Sequence, residues 1–196
     1  MANFLIKPTL GGPRLSLRAF TAADAPRMLE ILSQPMVNLY TGALSHWPKA
    51  AERFVASTEE RRRITDWYAT RSQADGRLDW AVVLDAQVIG EVVLNQYDAA
   101  ANSCNLRVLI ADDATGQGSG YEALHLACAY AFGPLGLAAL TLDAFDFNPR
   151  AQHVYHKLGF VDTGRIEGDL MLDGHPRASI TMRLDAAVFH QKGPES

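Results

Sequence analysis

Apolar and polar positions alternate over residues 14–20, Arg-Leu-Ser-Leu-Arg-Ala-Phe, the period of a strand with one buried face. The period then lengthens. Thr21-Ala-Ala-Asp24 is a capping box with Asp in place of Glu, and a helix follows over about 23–32 with Met28, Leu29 and Leu32 on one face. Pro35 ends it. Residues 36–48 carry Tyr40, His46, Trp47 and Pro48 and read as a loop or broken helix. Residues 50–69 read as a second helical region, anchored by Phe54, Val55 and Ile64, with Arg61-Arg62-Arg63 on a solvated face. Residues 79–84 and 87–94 form a hairpin around Asp85-Ala86, residues 97–102 a turn, and residues 104–111 a fourth strand. The next helix carries Leu124, Ala127, Cys128 and Ala131 at i, i+3, i+4 and i+7, the stripe of a buried face. Residues 137–145 form an apolar fifth strand, central in the sheet. Asn148-Pro149 opens a helix, Asn as N-cap and Pro at the first helical position. Ala151, Val154, Tyr155 and Leu158 face inward along it, and Gly159 closes it. Two last strands, 160–172 and 175–184, meet at Asp173-Gly174, a favoured two-residue hairpin turn.

This order predicts one mixed α/β domain over residues 1–196, with a core at about 14–185 and a polar, frayed tail at 186–196. Its sheet is twisted and mostly antiparallel, about six to seven strands flanked by about four helices. There is no internal repeat and no linker. With 196 residues, 48% of them hydrophobic and 20% charged, the composition is that of an ordinary globular protein. A net charge of −4 leaves no basic footprint for nucleic acid. No run approaches the ~18 apolar residues of a membrane span, and the start lacks a signal peptide's apolar run. Cys104 and Cys128 sit far apart in apolar patterns, which predicts two buried, reduced thiols and a cytoplasmic location. The six histidines show no spacing that argues for a metal.

The chemistry centres on Gly116-Gln117-Gly118-Ser119-Gly120, between the fourth strand and its helix. A glycine loop at a helix N-terminus presents backbone N–H groups and the positive end of the helix dipole to an anion, as a phosphate site requires. Glycines there let the backbone approach without Cβ clashes. The same loop read alone is equally a tight turn without a ligand.

Joined to Asn148-Pro-Arg-Ala-Gln-His-Val-Tyr155-His-Lys-Leu-Gly159-Phe160 and to the order of elements over residues 14–185, the loop resembles the GNAT family of N-acetyltransferases. The family's Arg/Gln-x-x-Gly-x-Gly/Ala signature falls on residues 115–120, with Thr115 where the long side chain stands. The segment from Gly164 to Met182 resembles the branch holding ribosomal-protein and polyamine acetyltransferases. The resemblance implies acetyl-CoA as co-substrate, its pyrophosphate on Thr115, Gly116, Gln117, Gly118, Ser119 and Gly120, with Asn148 contributing, and an amine as acceptor. It implies a backbone N–H from Leu109 or Ile110 on the thioester carbonyl, and Tyr155 as general acid. The branch's Glu, eleven residues before the first loop glycine, falls on Asn105, which leaves Glu91 as candidate base or a water relay in its place. Tyr40 and Trp47 are candidate walls of the acceptor site, built from the first helices and the last hairpin, where Asp169 and Asp173 would attract a cation. A homodimer through that hairpin fits the resemblance. Transfer of another acyl group, or a non-catalytic acyl-CoA sensor, are the alternatives.

Overall fold

The alternating segments pair into one sheet. In the computed structural model, which describes residues 2–49 and 52–192, eight strands lie in the order β1-β2-β3-β4-β5-β6-β8-β7. They are β1 (Leu10–Gly11), β2 (Leu15–Ala19), β3 (Leu78–Leu84), β4 (Gln87–Asp98), β5 (Ser103–Ile110), β6 (Ala139–Phe145), β7 (Val161–Leu172) and β8 (His175–Asp185). Every pairing is antiparallel except β5 with β6, the one joined by a crossover helix. The strand count slightly exceeds the sequence expectation because the two-residue β1 is too short to show a period. The hairpin turns fall where their residues predict, with left-handed φ at Asp85 and Ala86 and at Asp173 and Gly174.

Among the described residues six α-helices flank the sheet: α1 (Ala25–Leu32), α2 (Pro35–Tyr40), α3 (Thr58–Thr70), α4 (Ser119–Phe132), α5 (Pro149–Leu158) and α6 (Ala186–Lys192). In β4, Glu91 and Val92 point to opposite faces. Tyr68 of α3 bonds Glu91 on one face, while Trp80, paired with Val92, meets Tyr130 of α4 edge-on at 5.7 Å on the other. Lys157 of α5 lies over the Tyr121 ring, so α5 runs beside α4. The stripe expected on α4 is buried in full, with Leu124, Ala127, Cys128 and Ala131 at most 1% exposed.

One expectation is resolved and two are corrected. Of the two readings of residues 36–48, the broken helix holds for their start: Pro35 both stops α1 and opens α2, at the first helical position where its missing N–H costs nothing. Asn38 then ties the two helices, donating to Leu32 O and Gln34 O. The second helical region begins at Thr58, where Ser57 and Glu60 form a reciprocal capping box; residues 52–57 are irregular, and Ala50 and Ala51 lie outside the described residues. Phe54 and Val55 are therefore exposed rather than anchors, whereas Ile64 packs on the core and the Arg61–Arg63 face is solvated. The segment from residue 186 is helical as far as the described residues run, because Phe189 packs its ring on His125 and Phe132 of α4 at 5.3 and 5.4 Å. No helix among the described residues is long and apolar enough to cross a membrane.

Candidate active site

The glycine loop takes the shape its composition allows. Gly116 and Gly118 have φ of 80° and 82°, the left-handed region where a side chain is strained, and nothing lies within 4 Å of a Cβ placed on Gly116. Gly118 is the N-cap of α4. The helix's own ladder begins with Glu122 N–H on Gly118 O, so the amides of Ser119 and Gly120 have no acceptor inside the helix. Thr115 turns its hydroxyl inward to Asp112 O at 2.8 Å. Gln117 offers its backbone carbonyl to Arg14 Nη1 at 2.8 Å, and Ser119 is buried with no hydrogen-bond partner for its hydroxyl among the described residues.

A clamp behind the loop has no counterpart in the sequence reading. Glu122 accepts from the backbone N–H groups of Arg14 and Leu15 and from Arg14 Nε, at 2.9, 3.1 and 2.9 Å. These bonds, with Arg14, hold its carboxyl below the usual carboxylate range against the opposing effect of burial. Arg14 thereby bridges the first turn of α4 and the loop.

Beside the loop the sheet opens. β5 and β6 pair only at Ser103–Ala139, Cys104–Leu140 and Asn105–Thr141, and then diverge. The resulting cleft, of about 430 Å³, is lined by residues 105–110, by Thr115, Gly116, Gly118 and Gly120, by Asp143, Ala144 and Phe145, and by α5. Successive backbone N–H groups of a strand point to opposite edges. Ala111 N–H donates to Ile89 O at 2.8 Å and faces β4, so Ile110 N–H faces the open edge and Leu109 N–H faces β4. Of the two backbone donors considered, only Ile110 is turned to the cleft.

The far wall is α5. Asn148 Oδ1 accepts from Ala151 N–H at 3.2 Å as the N-cap, and Gly159 ends the helix at φ 107°. Asn148, Val154 and Tyr155 all line the cleft. Burial first, and the charge of Asp143 second, push the Tyr155 phenol up to about 12. It is therefore protonated throughout the working range of an enzyme.

The remaining candidates divide. Tyr40 lines the cleft. Trp47 does not; it lies half-exposed with its edge on Phe147, which stacks on the cleft residue Phe145. Gln117 and Ser119 belong to the loop but not to the lining. Glu91 is not among the lining residues either: it lies under α3, accepts from Tyr68 O–H at 3.1 Å, and has its carboxyl raised chiefly by burial. Sequence reasoning passed over Arg107 and Asp143, both exposed charges in the lining. Asp143 had a signal, a carboxylate inside an otherwise apolar strand, of the kind that drew attention to Glu91. No group of three or more metal-ligating side chains occurs among the described residues.

Known proteins share this fold. The family model described as "Acetyltransferase (GNAT) domain" matches residues 14–161. The spermidine N(1)-acetyltransferase of Vibrio cholerae is 32% identical over 95 residues, 47% of this chain and 55% of that protein. The Escherichia coli K12 enzyme of the same name is 27% identical over 119 residues, 61% of this chain and 64% of that protein. The matched region thus spans less than two thirds of either relative. The crystal structure of the Vibrio cholerae spermidine N-acetyltransferase in complex with CoA and spermine superposes with a TM-score of 0.74 at 19% identity, covering 91% of this chain and 99% of that one. With a family model that runs from β2 to the start of β7, through the glycine loop, the open strand pair and α5, this chain belongs to the GNAT acetyltransferase family.

Proposed function

We propose that this protein is an acetyl-CoA-dependent N-acetyltransferase acting on a primary amine. The observation that carries the reading is the cleft itself: a splayed parallel strand pair with a phosphate-type glycine loop at its mouth and a protonated phenol in its wall. The residues present fit CoA. The amides of Ser119 and Gly120 and the open space over Gly116 suit a pyrophosphate, and the helix dipole adds to them without a lysine in the loop. Thr115, its hydroxyl committed to Asp112, leaves that task to the backbone.

Acetyl-CoA supplies the acyl thioester. Ile110 N–H, free of the β4 ladder, is directed at the cleft, where a donor to a developing negative oxygen is worth about 3 kcal/mol. Tyr155 keeps a proton at its phenol oxygen, available to a leaving sulfur. Asn148 fixes the start of α5 and hence the register of Tyr155. Tyr40 and Phe145 form an apolar wall for the acceptor. Glu91, bonded to Tyr68 outside the lining, supports the sheet, and proton removal from the amine falls to solvent in the cleft. A homodimer through β7 belongs to the same reading, since β7 is the sheet's edge and exposes Val161, Ile166 and Met171.

The test is thiol release from acetyl-CoA across a panel of amines, with calorimetric titration of CoA in parallel. Turnover of at least one primary amine is expected. Binding without turnover of any amine or acyl donor would indicate a sensor, turnover only with a longer acyl-CoA a different acyl specificity, and no binding at all would sink the reading.

A further inference from the structure

The point at which β5 and β6 part holds two opposite charges. Asn105 and Thr141 are the last paired residues. Two positions further along each strand, on the same face as that pair, stand Arg107 and Asp143. Both are exposed and both line the cleft, and neither forms a hydrogen bond or ion pair among the described residues. In a continuous parallel pair these side chains would be neighbours and would neutralise one another. The splay keeps them apart, with the cleft between.

The other charges of the lining differ. Asp112 accepts from Met36 N–H at the start of α2, and its own N–H is held by Gln34 Oε1. Arg150 lies in the first turn of α5, beside Asn148. Asp143 is therefore the one carboxylate in the lining without a hydrogen bond among the described residues. It stands close enough to Tyr155 for its charge to act on the phenol, while Phe145, two residues on, continues the same face as an apolar surface. This arrangement offers one site for an ammonium and one for an anion. Asp112, the other carboxylate of the lining, is held by Met36 N–H at the start of α2, and Arg107 would repel the second ammonium of a polycation.

We propose that the acceptor is a zwitterionic amine of the amino-acid class, its ammonium held by Asp143 and its carboxylate by Arg107 across the opening between β5 and β6. This rests on the N-acetyltransferase reading above and adds the substrate class. The two residues act as specificity determinants: Arg107 recognises the carboxylate as a charge-assisted fork, and Asp143 places the nitrogen on the Tyr155 side of the cleft.

The experiment compares free amino acids, their decarboxylated amines and spermidine as acceptors at saturating acetyl-CoA, with the full chain and its Arg107→Gln and Asp143→Asn variants. Melting temperatures confirm that each variant folds. The parent should prefer the zwitterion over its decarboxylated counterpart by at least about tenfold in kcat/KM. Arg107→Gln should abolish that preference, through KM for the zwitterion, with no loss for the decarboxylated amine. Asp143→Asn should raise KM for both. A parent that prefers spermidine or the decarboxylated amine overturns the proposal, as does an Arg107→Gln variant that weakens all acceptors equally. If the chain binds acetyl-CoA and acetylates spermidine alone, the acetyltransferase reading stands and this one falls. If no amine is turned over, both fall.

Discussion

Gly90 leaves no room for a side chain against β5. It pairs with Ile110, and a Cβ placed on it would lie 2.0 Å from Leu109 O and 3.0 Å from Ile110 Cα. Real Cβ contacts essentially never fall below 3.0 Å, so in Gly90→Ala the β5 backbone must retreat by about 1 Å or more. That movement falls on the segment whose Ile110 N–H is directed at the cleft, and about 1 Å of misplacement of a catalytic group costs on the order of 10²-fold in rate. Overpacking adds roughly 1–3 kcal/mol of instability. For a chain of this size that lowers Tm by about 2–12 °C. The glycine loop lies beyond the strand, so CoA affinity should stay within about threefold, under 1 kcal/mol. The assay has three readings: kcat for thiol release at saturating substrates, Tm by scanning calorimetry, and CoA affinity by titration. A Gly90→Ala protein with parental kcat and Tm would refute the reasoning, because it would mean that the closeness of β4 does not position the donor.

Three further outcomes are expected. Tyr155→Phe should lower kcat by about 10²-fold while leaving CoA affinity nearly intact, and since burial holds the phenol up to about 12, the parent's rate should show no falling limb from this group below about pH 11; an unchanged kcat removes Tyr155 as the proton source. Ile110→Pro deletes an N–H turned away from β4 and should cost about 10²–10³ in kcat with the fold retained, whereas Leu109→Pro deletes one turned toward β4 and should prevent folding; equal effects would contradict the strand alternation derived from Ala111. Glu91 has its folded pKa raised by burial, so its contribution to stability is fully present below its unfolded value and is lost as pH rises through the folded one. Glu91→Gln should therefore raise Tm at pH 8, converge with the parent near pH 4, and leave the pH–rate profile unchanged; a shifted limb in that profile would restore Glu91 as the base.

What could be read from the sequence is what local chemistry decides. Asn148, Pro149 and Gly159 bound α5 because capping is a matter of a few adjacent backbone groups. The glycine loop was visible for the same reason, its left-handed residues being glycine. Pro35 ended α1 as expected but could not show by itself that it also opens α2, because one residue type serves as both stop and start, and Asn38 reaching back to Leu32 ties the two helices together. Exposed Phe54 and Val55 misled because an apolar period says nothing about what stands opposite. The clamp of Arg14 on Glu122 joins residues 108 positions apart, beyond any local pattern. Arg107 and Asp143 gain meaning only from the place where two strands stop pairing, which is set by the whole sheet.

That long-range clamp ties ligand affinity to the completeness of folding. The loop is braced from outside by β2, through the two backbone amides and the guanidinium that Glu122 and Gln117 hold. A chain in which β2 has not docked has an unbraced loop, so the donor pocket is finished only when the two distant parts of the chain have met. The linkage runs both ways: a ligand on the loop stabilises β2 docking by RT ln(1 + [L]/Kd). Amide exchange at Arg14 and Leu15, whose N–H groups Glu122 holds, should therefore slow when CoA is added, and the start of β2 becomes a reporter of what the cleft holds.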